Sequence, residues 1–305
     1  SFASAFLLFG IAFIYGATRT TEISTILSMQ GGINTSLLLL GTVIFLIGLF
    51  FKVALVPFHA WLPDVYHGAP TPVTAFMATS VKLVIFSFLL RFMPVSDLAG
   101  TPALLSVLQW ICLLTMFFGN MIALKQTSLK RMLAYSSISH SGYLFMGLIA
   151  SIMGSSTLAA QGILFYLVVY LFTIMGAFGI ICVYETKEDH DLNIDSLKGL
   201  ASTHPLLAFS LSIFLLSLAG IPPLGGFFAK LYLFSSAVEA NQIWLVVWAV
   251  VSSAIGVYYY LKPIVFMYMK DKETAEVFGE NQGVSNLSMI TLSVIVIIML
   301  GFFSQ

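Results

Sequence analysis

Three lysines, Lys52, Lys82 and Lys230, lie well inside long apolar stretches of the sequence. A charged side chain at the centre of a bilayer costs about 2.5–3.5 kcal/mol on insertion scales, and such residues usually have a function. The acidic residues fall outside these stretches or near their ends, so no carboxylate is predicted to neutralise the lysines. An apolar medium disfavours the charged form of an amine, which can then gain and lose a proton. The pattern predicts proton transfer, with snorkelling of the side chains to the interface as the alternative.

Two histidines could join these lysines. His59 follows Lys52 by seven residues, which in a helix is two turns and about 10 Å, so water would have to bridge the two side chains. Histidine titrates near neutral pH and suits a relay, although His59 could equally be packed or interfacial. His140 lies among hydroxyl side chains and is interpreted as either a relay element or a satisfied polar helix contact. Lys262, beside a proline and near a helix end, is predicted to lie at the interface.

A proline interrupts the stretch that contains Lys52. Pro57 has no N–H and cannot donate a hydrogen bond to the carbonyl of Val53. A backbone group left unpaired at membrane depth is tolerated where protein or cavity water satisfies it. The sequence therefore predicts a broken helix at this point. We expect Asp64 and His67 to fix the turn that follows the break.

A second break is predicted before Lys230. Pro222 and Pro223 leave the carbonyls of Leu218 and Ala219 without helical partners. Interrupted helices in the two halves of a transporter are the best sequence pointer to its ion site. Proline kinks also occur in membrane helices that have no role in transport. The coincidence of two breaks with two intramembrane lysines favours the ion site.

The composition requires an apolar surrounding for the whole chain. Of 305 residues, 59% are hydrophobic and only 9% are charged, and the mean hydropathy is +1.00, whereas a soluble domain carries about 25% charged residues. The formal net charge of zero gives no indication of nucleic-acid binding. The two cysteines and five histidines show no ligand spacing, so we expect no haem, iron–sulfur or zinc site in this chain.

The apolar stretches predict an all-α, polytopic transmembrane bundle in a single domain. Each has about the length that crosses a bilayer, and the second and seventh are long enough to contain the breaks. About nine spans are predicted, at residues 2–17, 34–62, 72–93, 103–124, 131–153, 158–184, 205–238, 242–269 and 286–303. The longer connections are 18–33, with a possible short surface helix, 185–204 and 270–285.

The basic residues predict the orientation. With nine spans, one side carries only Arg19 and Arg91 in its loops. The other side carries Lys125, Lys130, Arg131, Lys187, Lys198, Lys270 and Lys272. The positive-inside rule places this second side in the cytoplasm, so residue 1 starts there and Gln305 lies opposite. The opening stretch lacks a basic n-region and is interpreted as a span of a longer chain, not a signal peptide.

Three segments resemble a known family. The run FKVALVPFHAWLPDVYHGAPTPV (residues 51–73) is similar to the signature of the antiporter-like membrane subunits of respiratory complex I. The runs LAYSSISHSGY (133–143) and LAGIPPLGGFFAK (218–230) resemble the same family. The runs DVY (64–66) and GVYYYLK (256–262) resemble the branch that contains subunit N and mitochondrial subunit 2.

This resemblance implies an architecture and roles for individual residues. The family has fourteen helices with two inverted five-helix repeats, each with a broken helix. Residues 1–93 would end the first repeat, 103–269 form the second, and 286–303 form a C-terminal span. Lys52 and Lys230 would be the lysines of the broken helices, Lys82 the bridging lysine, and His59 a member of the same polar axis. A glutamate that pairs with the first lysine has no counterpart in the sequence, which supports an absent N-terminal third.

The resemblance also implies a function. We expect a proton-translocating subunit of NADH:quinone oxidoreductase in an energy-transducing membrane, such as the bacterial inner membrane. The chain would hold no redox centre, while other subunits hold the NADH, FMN, iron–sulfur and quinone sites. Its partners would be other membrane-arm subunits, including neighbouring antiporter-like subunits, and the lipid bilayer. The alternatives are a subunit of a multisubunit cation/proton antiporter or membrane-bound hydrogenase, or a scaffold that transports nothing.

Overall fold

The computed structural model describes residues 2–28, 35–93, 101–154, 156–184, 192–271 and 284–303. The chain is helical in these ranges and forms no β-strand within them, which confirms the predicted all-α class. The charged segments 185–191 and 272–283, which were expected to be loops, lie outside the described residues, as does Asp97.

Thirteen α-helices make up the described part of the chain. They are α1 (Phe2–Thr18), α2 (Ile23–Ser28), α3 (Thr35–Lys52), α4 (Trp61–Gly68), α5 (Thr71–Phe92), α6 (Pro102–Ala123), α7 (Leu129–Ile152), α8 (Ser156–Tyr184), α9 (Leu200–Thr203), α10 (Pro205–Ala219), α11 (Gly225–Glu239), α12 (Ile243–Met269) and α13 (Val284–Phe302). A 3-10 turn, Ile194–Leu197, precedes α9. Helix α2 is the short surface helix that the polar connection suggested.

The helices follow the predicted apolar stretches closely. Helices α5, α6, α8 and α12 are long and apolar enough to cross a membrane, and α1, α3, α10 and α13 are shorter apolar helices. Local signals set their ends: Pro102 and Pro205 start α6 and α10, and Ser128 caps α7 by accepting a hydrogen bond from the Arg131 N–H. The number of membrane crossings remains a prediction.

Polar groups are concentrated inside the bundle and large apolar side chains outside it. Ser136, Ser137 and Ser141 are buried, whereas Trp110 and Tyr258 are more than half exposed. A soluble protein seldom exposes so many large apolar side chains. The distribution is the one expected of a chain that is solvated by lipid.

Helix α7 occupies the centre of the described bundle. It is buried along almost its whole length and packs against α4, α6, α8 and α11. Its contact with α6 is close because glycines lie in the interface: a Cβ on Gly119 would lie 2.6 Å from the backbone N of Ser139, and one on Gly142 would lie 2.6 Å from Cγ of Met116. Small residues allow such close packing of membrane helices. Helices α5 and α11, which carry two of the lysines, both contact α7 and α8.

Two breaks interrupt the helices where the prolines predicted them. Residues 53–60 separate α3 from α4, and residues 220–224 separate α10 from α11. The Val56-Pro57 and Pro222-Pro223 peptide bonds are cis. Asp64 and His67 were expected to fix the turn that follows the first break. Both lie in helix α4, which starts directly after the break and accommodates Pro63 in its first turn, where a helix needs no N–H donor.

Candidate functional site

Lys230 binds backbone carbonyls that have no helical partner at the second break. Its Nζ donates hydrogen bonds to the carbonyls of Leu218 and Ala219, both at 2.9 Å, and to Oγ of Ser253 at 2.8 Å. These two carbonyls are the ones predicted to lose their partners at residues 222–223, so the prediction of unpaired carbonyls beside the lysine is confirmed. The side chain is buried, and its three hydrogens are matched by three neutral acceptors.

An aromatic ring lies beside the Lys230 ammonium. Nζ is 5.3 Å from the centroid of Tyr143, within the range of a cation–π contact. The Tyr143 hydroxyl accepts a hydrogen bond from Nδ2 of Asn120 at 3.1 Å. Asn120 also donates to Ser252 and accepts from Tyr259, at 2.7 Å each. This network fixes the ring between α6, α7 and α12.

Lys82 lies near the middle of α5 and is also buried. Its Nζ donates a hydrogen bond to the carbonyl of Ser137 and lies 3.4 Å from the hydroxyl and 4.9 Å from the ring centroid of Tyr170. That hydroxyl in turn donates to Oγ of Ser137 at 2.9 Å. Since the ammonium is bound in the interior, snorkelling is excluded for Lys82. Like Lys230, it forms no ion pair with a carboxylate of the described residues.

His140 lies in the polar interior with both ring nitrogens engaged. Nδ1 is 2.5 Å from the Tyr166 hydroxyl, and Nε2 is 3.0 Å from the Tyr260 hydroxyl, which also hydrogen-bonds Oγ of Ser136. The interpretation of His140 as a satisfied polar contact is therefore confirmed. The ring also lies 5.2 Å from that of Tyr170, the aromatic neighbour of Lys82. Its role in a relay remains a prediction.

A small cavity separates His140 from Lys230. It has a volume of about 10 Å³ and is lined by these two residues together with Tyr166, Tyr170 and Ser217, among others. That volume is close to the minimum that one water needs. A water there could bond to the ammonium or the imidazole only after one of their present partners, such as Ser253 or Tyr166, had moved away.

The backbone groups that lose their helical partners at the first break are bound by hydroxyl side chains and not by a lysine. The Val53 carbonyl, predicted to lose its partner at Pro57, accepts a hydrogen bond from Oγ of Ser141 at 2.8 Å. The Val56 N–H donates to Oγ1 of Thr115 at 3.0 Å. Lys52 is not one of these donors: it is the last residue of α3, and its side chain is exposed. In the described chain Lys52 therefore lies outside the buried polar group, and its role in proton transfer stays a prediction.

His59 belongs to the first break and not to a helix. Residues 53–60 are not helical, so the placement of His59 two turns beyond Lys52 on one helix face is wrong. The side chain is half-buried. The described residues do not bring it into the hydrogen-bonded group that contains His140.

Several buried polar residues were not predicted from the sequence. Lys130 was assigned to a loop but is fully buried, because Thr127 and Leu129 pair through their backbones with residues 192–194 and cover this turn. The tyrosines around His140 were not among the predicted site residues. Tyr166 and Tyr170, four residues apart on α8, could have been recognised as one polar helix face.

Ion pairs and potential metal ligands are few among the described residues. Arg131 pairs with Asp64 at 2.9 Å and links α7 to α4 at the surface. The described part of the chain contains no group of three His, Cys, Asp or Glu side chains that could hold a metal ion.

Comparison with protein families gives a match over most of the chain. Residues 1–256 match the model described as NADH:quinone oxidoreductase/Mrp antiporter, TM. Among curated proteins, NADH-quinone oxidoreductase subunit N of Bdellovibrio bacteriovorus is 46% identical over 307 aligned positions, and that of Myxococcus xanthus is 40% identical. The alignments cover 100% and 99% of this chain but 63% and 64% of the relatives. The chain thus spans less than two thirds of the length of these relatives.

Solved structures share the same fold. A chain of respiratory complex I from Thermus thermophilus with bound aureothin superposes with a TM-score of 0.84 at 34% identity, covering 99% of this chain and 64% of the other. A chain of the Mrp complex from Dietzia superposes with a TM-score of 0.82 at 24% identity, covering 100% and 63%. The antiporter-like helical fold predicted from the motifs is confirmed.

Proposed function

This chain belongs to the NADH:quinone oxidoreductase/Mrp antiporter transmembrane family, and we propose that it is a proton-translocating membrane subunit of an NADH:quinone oxidoreductase. One observation carries the proposal. Lys82 and Lys230 are buried, bind only neutral acceptors among the described residues, and lie to either side of the aromatic and hydroxyl group around His140. A structural cation would be expected to have a carboxylate partner in so apolar a surrounding.

The geometry indicates how a proton would move between the lysines. Lys230 can release a proton because neutral carbonyls hold its ammonium less strongly than a carboxylate would. The small cavity beside it could hold a water that carries this proton to or from His140. The hydroxyls of Tyr166, Tyr170 and Tyr260 can both donate and accept hydrogen bonds. They would connect His140 to the surroundings of Lys82 without becoming ions themselves.

The energy for this movement would come from other subunits. Electron transfer from NADH to quinone would take place there, and the chain would respond within a membrane arm that includes other antiporter-like subunits. The curated relatives named subunit N support this assignment. We further propose that residues 103–269 form one complete inverted repeat and that residue 1 lies on the cytoplasmic side of a respiratory membrane.

The nearest alternative is a subunit of a cation/proton antiporter or a membrane-bound hydrogenase. Its support is the superposition on the Mrp complex, but at 24% identity that likeness concerns the fold alone. The 34% identity to a chain of complex I favours the first proposal. A scaffold without transport remains a third possibility, and it predicts that removal of the buried lysines changes assembly but not pumping.

The proposal is tested with lysine variants in the assembled enzyme. Inverted membrane vesicles would carry Lys82→Ala, Lys230→Ala or the control Lys270→Ala, which alters an exposed lysine at the end of α12. We expect both buried-site variants to lose most NADH-driven proton uptake, and the control to retain it. Full proton uptake by both variants, at normal amounts of assembled enzyme, would exclude translocation through these lysines.

A transport assay with other cations separates the antiporter alternative. Proton movement should depend on NADH and quinone and not on added Na⁺ or K⁺. If proton movement instead follows an imposed Na⁺ or K⁺ gradient without NADH, the chain functions as an antiporter subunit.

A further inference from the structure

The hydroxyl of Ser141 lies within hydrogen-bond distance of two acceptors but can donate only one hydrogen. Its Oγ lies 2.8 Å from the Val53 carbonyl oxygen at the first break and 3.2 Å from the Ser137 carbonyl oxygen in its own helix. A hydrogen bond weakens with length and misalignment, so one hydrogen serves one acceptor well. The shorter distance assigns it to Val53 in this structure. Ser141 therefore fastens the first break to α7.

The second acceptor of Ser141 is also the partner of Lys82. A carbonyl oxygen has two lone pairs, and within α7 one lone pair of Ser137 accepts the helical N–H of Ser141. Both the Lys82 ammonium and the Ser141 hydroxyl approach the same oxygen in addition. The ammonium and the hydroxyl thus compete for one remaining position.

We propose that Ser141 is a positioning residue that couples Lys82 to the first break. While the ammonium binds the Ser137 carbonyl, the Ser141 hydroxyl is left to Val53 and holds the break against α7. When the amine leaves that carbonyl, the hydroxyl turns to Ser137 and releases Val53. This inference rests on the proposed function, in which Lys82 changes its charge during turnover. A rotation of one short side chain is the only movement required at Ser141.

Release of the Val53 carbonyl has a consequence for its neighbour. Val53 is completely buried, and a buried carbonyl without a partner is unfavourable, so the break must shift or admit water. The Val56 N–H stays bonded to Thr115 and the Val53 N–H to the Leu49 carbonyl, so the movement is confined to the backbone around the Val53 carbonyl. Lys52 directly precedes Val53 in the chain. A change at Lys82 would in this way reach Lys52 without direct contact between the two lysines.

The test uses hydroxyl variants in the enzyme assembled in membrane vesicles. Ser141→Ala removes the shared hydrogen, and Ser141→Thr keeps a hydroxyl. The control Ser151→Ala removes a buried hydroxyl from the same helix, where Oγ bonds the Leu148 carbonyl, far from the first break. The measurements are NADH-driven proton uptake between about pH 6 and pH 9 and the rate of NADH oxidation.

We expect Ser141→Ala to lower proton uptake per NADH about threefold to tenfold and to move the pH of half-maximal uptake by about half a unit or more. Ser141→Thr should restore most of the uptake, and Ser151→Ala should change neither quantity. A purely structural role of Ser141 would lower the amount of enzyme without moving the pH profile.

Three results would overturn the coupling. They are a wild-type pH profile for Ser141→Ala, an equal change in the control Ser151→Ala, and a failure of Ser141→Thr to restore uptake in fully assembled enzyme. If Ser141→Ala does not assemble, Ser141→Cys replaces it, because a thiol has similar size and is a weaker donor. Its pH profile should then be shifted, and an unshifted profile overturns the coupling. Loss of uptake in Lys82→Ala with a wild-type profile in Ser141→Ala contradicts only the coupling, whereas full uptake in both Lys82→Ala and Lys230→Ala contradicts the proposed function itself.

Discussion

The ammonium groups of Lys82 and Lys230 are bound by carbonyl and hydroxyl oxygens and by aromatic faces, with no carboxylate partner in the described part of the chain. Neutral acceptors stabilise a buried charge less than a carboxylate does, so the charged form of either lysine is held less firmly than in an ion pair. The second break contributes directly to this arrangement, since it supplies two of the three acceptors of Lys230.

The first prediction concerns the need of Lys230 to lose its proton. Arginine keeps a positive charge but does not deprotonate in proteins. Lys230→Arg should therefore reduce proton uptake about tenfold or more, the size of effect expected when a proton-transferring group is removed. Uptake in vesicles is the measurement, and Lys270→Arg is the matched surface control. Wild-type uptake by Lys230→Arg would mean that a fixed charge is sufficient.

The second prediction concerns the hydroxyl that joins His140 to α12. Tyr260→Phe removes the partner of Nε2 of His140 and of the Ser136 hydroxyl. A buried polar group that loses its partner costs about 1–3 kcal/mol, so the free energy of unfolding should fall by that amount, and proton uptake should fall with it. Tyr258→Phe, on the exposed face of the same helix, should change neither. Thermal unfolding of the purified complex and vesicle uptake are the measurements.

The helices themselves illustrate what the sequence could predict. The apolar stretches located α1, α5, α6, α8 and α12 because a lipid-solvated helix needs a long apolar run and little else. The prolines located both breaks because they remove a backbone donor. The partner of each free carbonyl could not be predicted in the same way, since it depends on which helix packs alongside.

The two breaks show this limit most clearly. The carbonyls freed before Pro222 and Pro223 are bound by Lys230 of the same broken helix, whereas the Val53 carbonyl is bound by Ser141 of α7. Lys52 precedes Pro57 by five residues, whereas Lys230 follows Pro223 by seven, so the two lysines lie on opposite sides of their breaks in the sequence. Which donor satisfies each carbonyl depends on tertiary packing, and Lys52 is exposed in the described chain.

The third prediction tests the packing of the second break. A Cβ on Gly226 would overlap the backbone carbonyl of Ser217, so α10 and α11 could not approach as they do. Gly226→Ala should destabilise the fold by about 1–3 kcal/mol, as forced overpacking does, and should lower proton uptake by displacing Lys230. Gly68→Ala is the control, because a Cβ there meets nothing within 4 Å. Equal unfolding temperatures for the two variants would contradict this account of the break.

In the described part of the chain the bundle has a polar interior and an apolar surface, and the connections that carry Lys125, Lys198 and Lys270 lie close together. Hydrogen bonds join Leu129 to Leu192, Ile194 to Thr127 and Gly199 to Phe266. The α6–α7 turn, the segment before α9 and the end of α12 therefore lie together, as the alternation of predicted spans requires. Basic residues concentrate in these connections, which by the positive-inside rule would face the cytoplasm.

The fourth prediction follows from this grouping of the basic connections. A cysteine at Ser24, exposed on α2, and one at Lys270, exposed at the end of α12, should lie on opposite sides of the membrane. In intact cells a membrane-impermeant maleimide should label Ser24→Cys, and it should label Lys270→Cys only after permeabilisation. The wild-type chain controls for its own cysteines, of which Cys112 is buried and Cys182 partly buried. The reverse pattern would invert the proposed orientation, and labelling of both in intact cells would contradict an odd number of crossings between them. Because hydrogen bonds hold the α6–α7 turn and the end of α12 to the same segment before α9, the expected pattern would also place the α6–α7 turn on the cytoplasmic side.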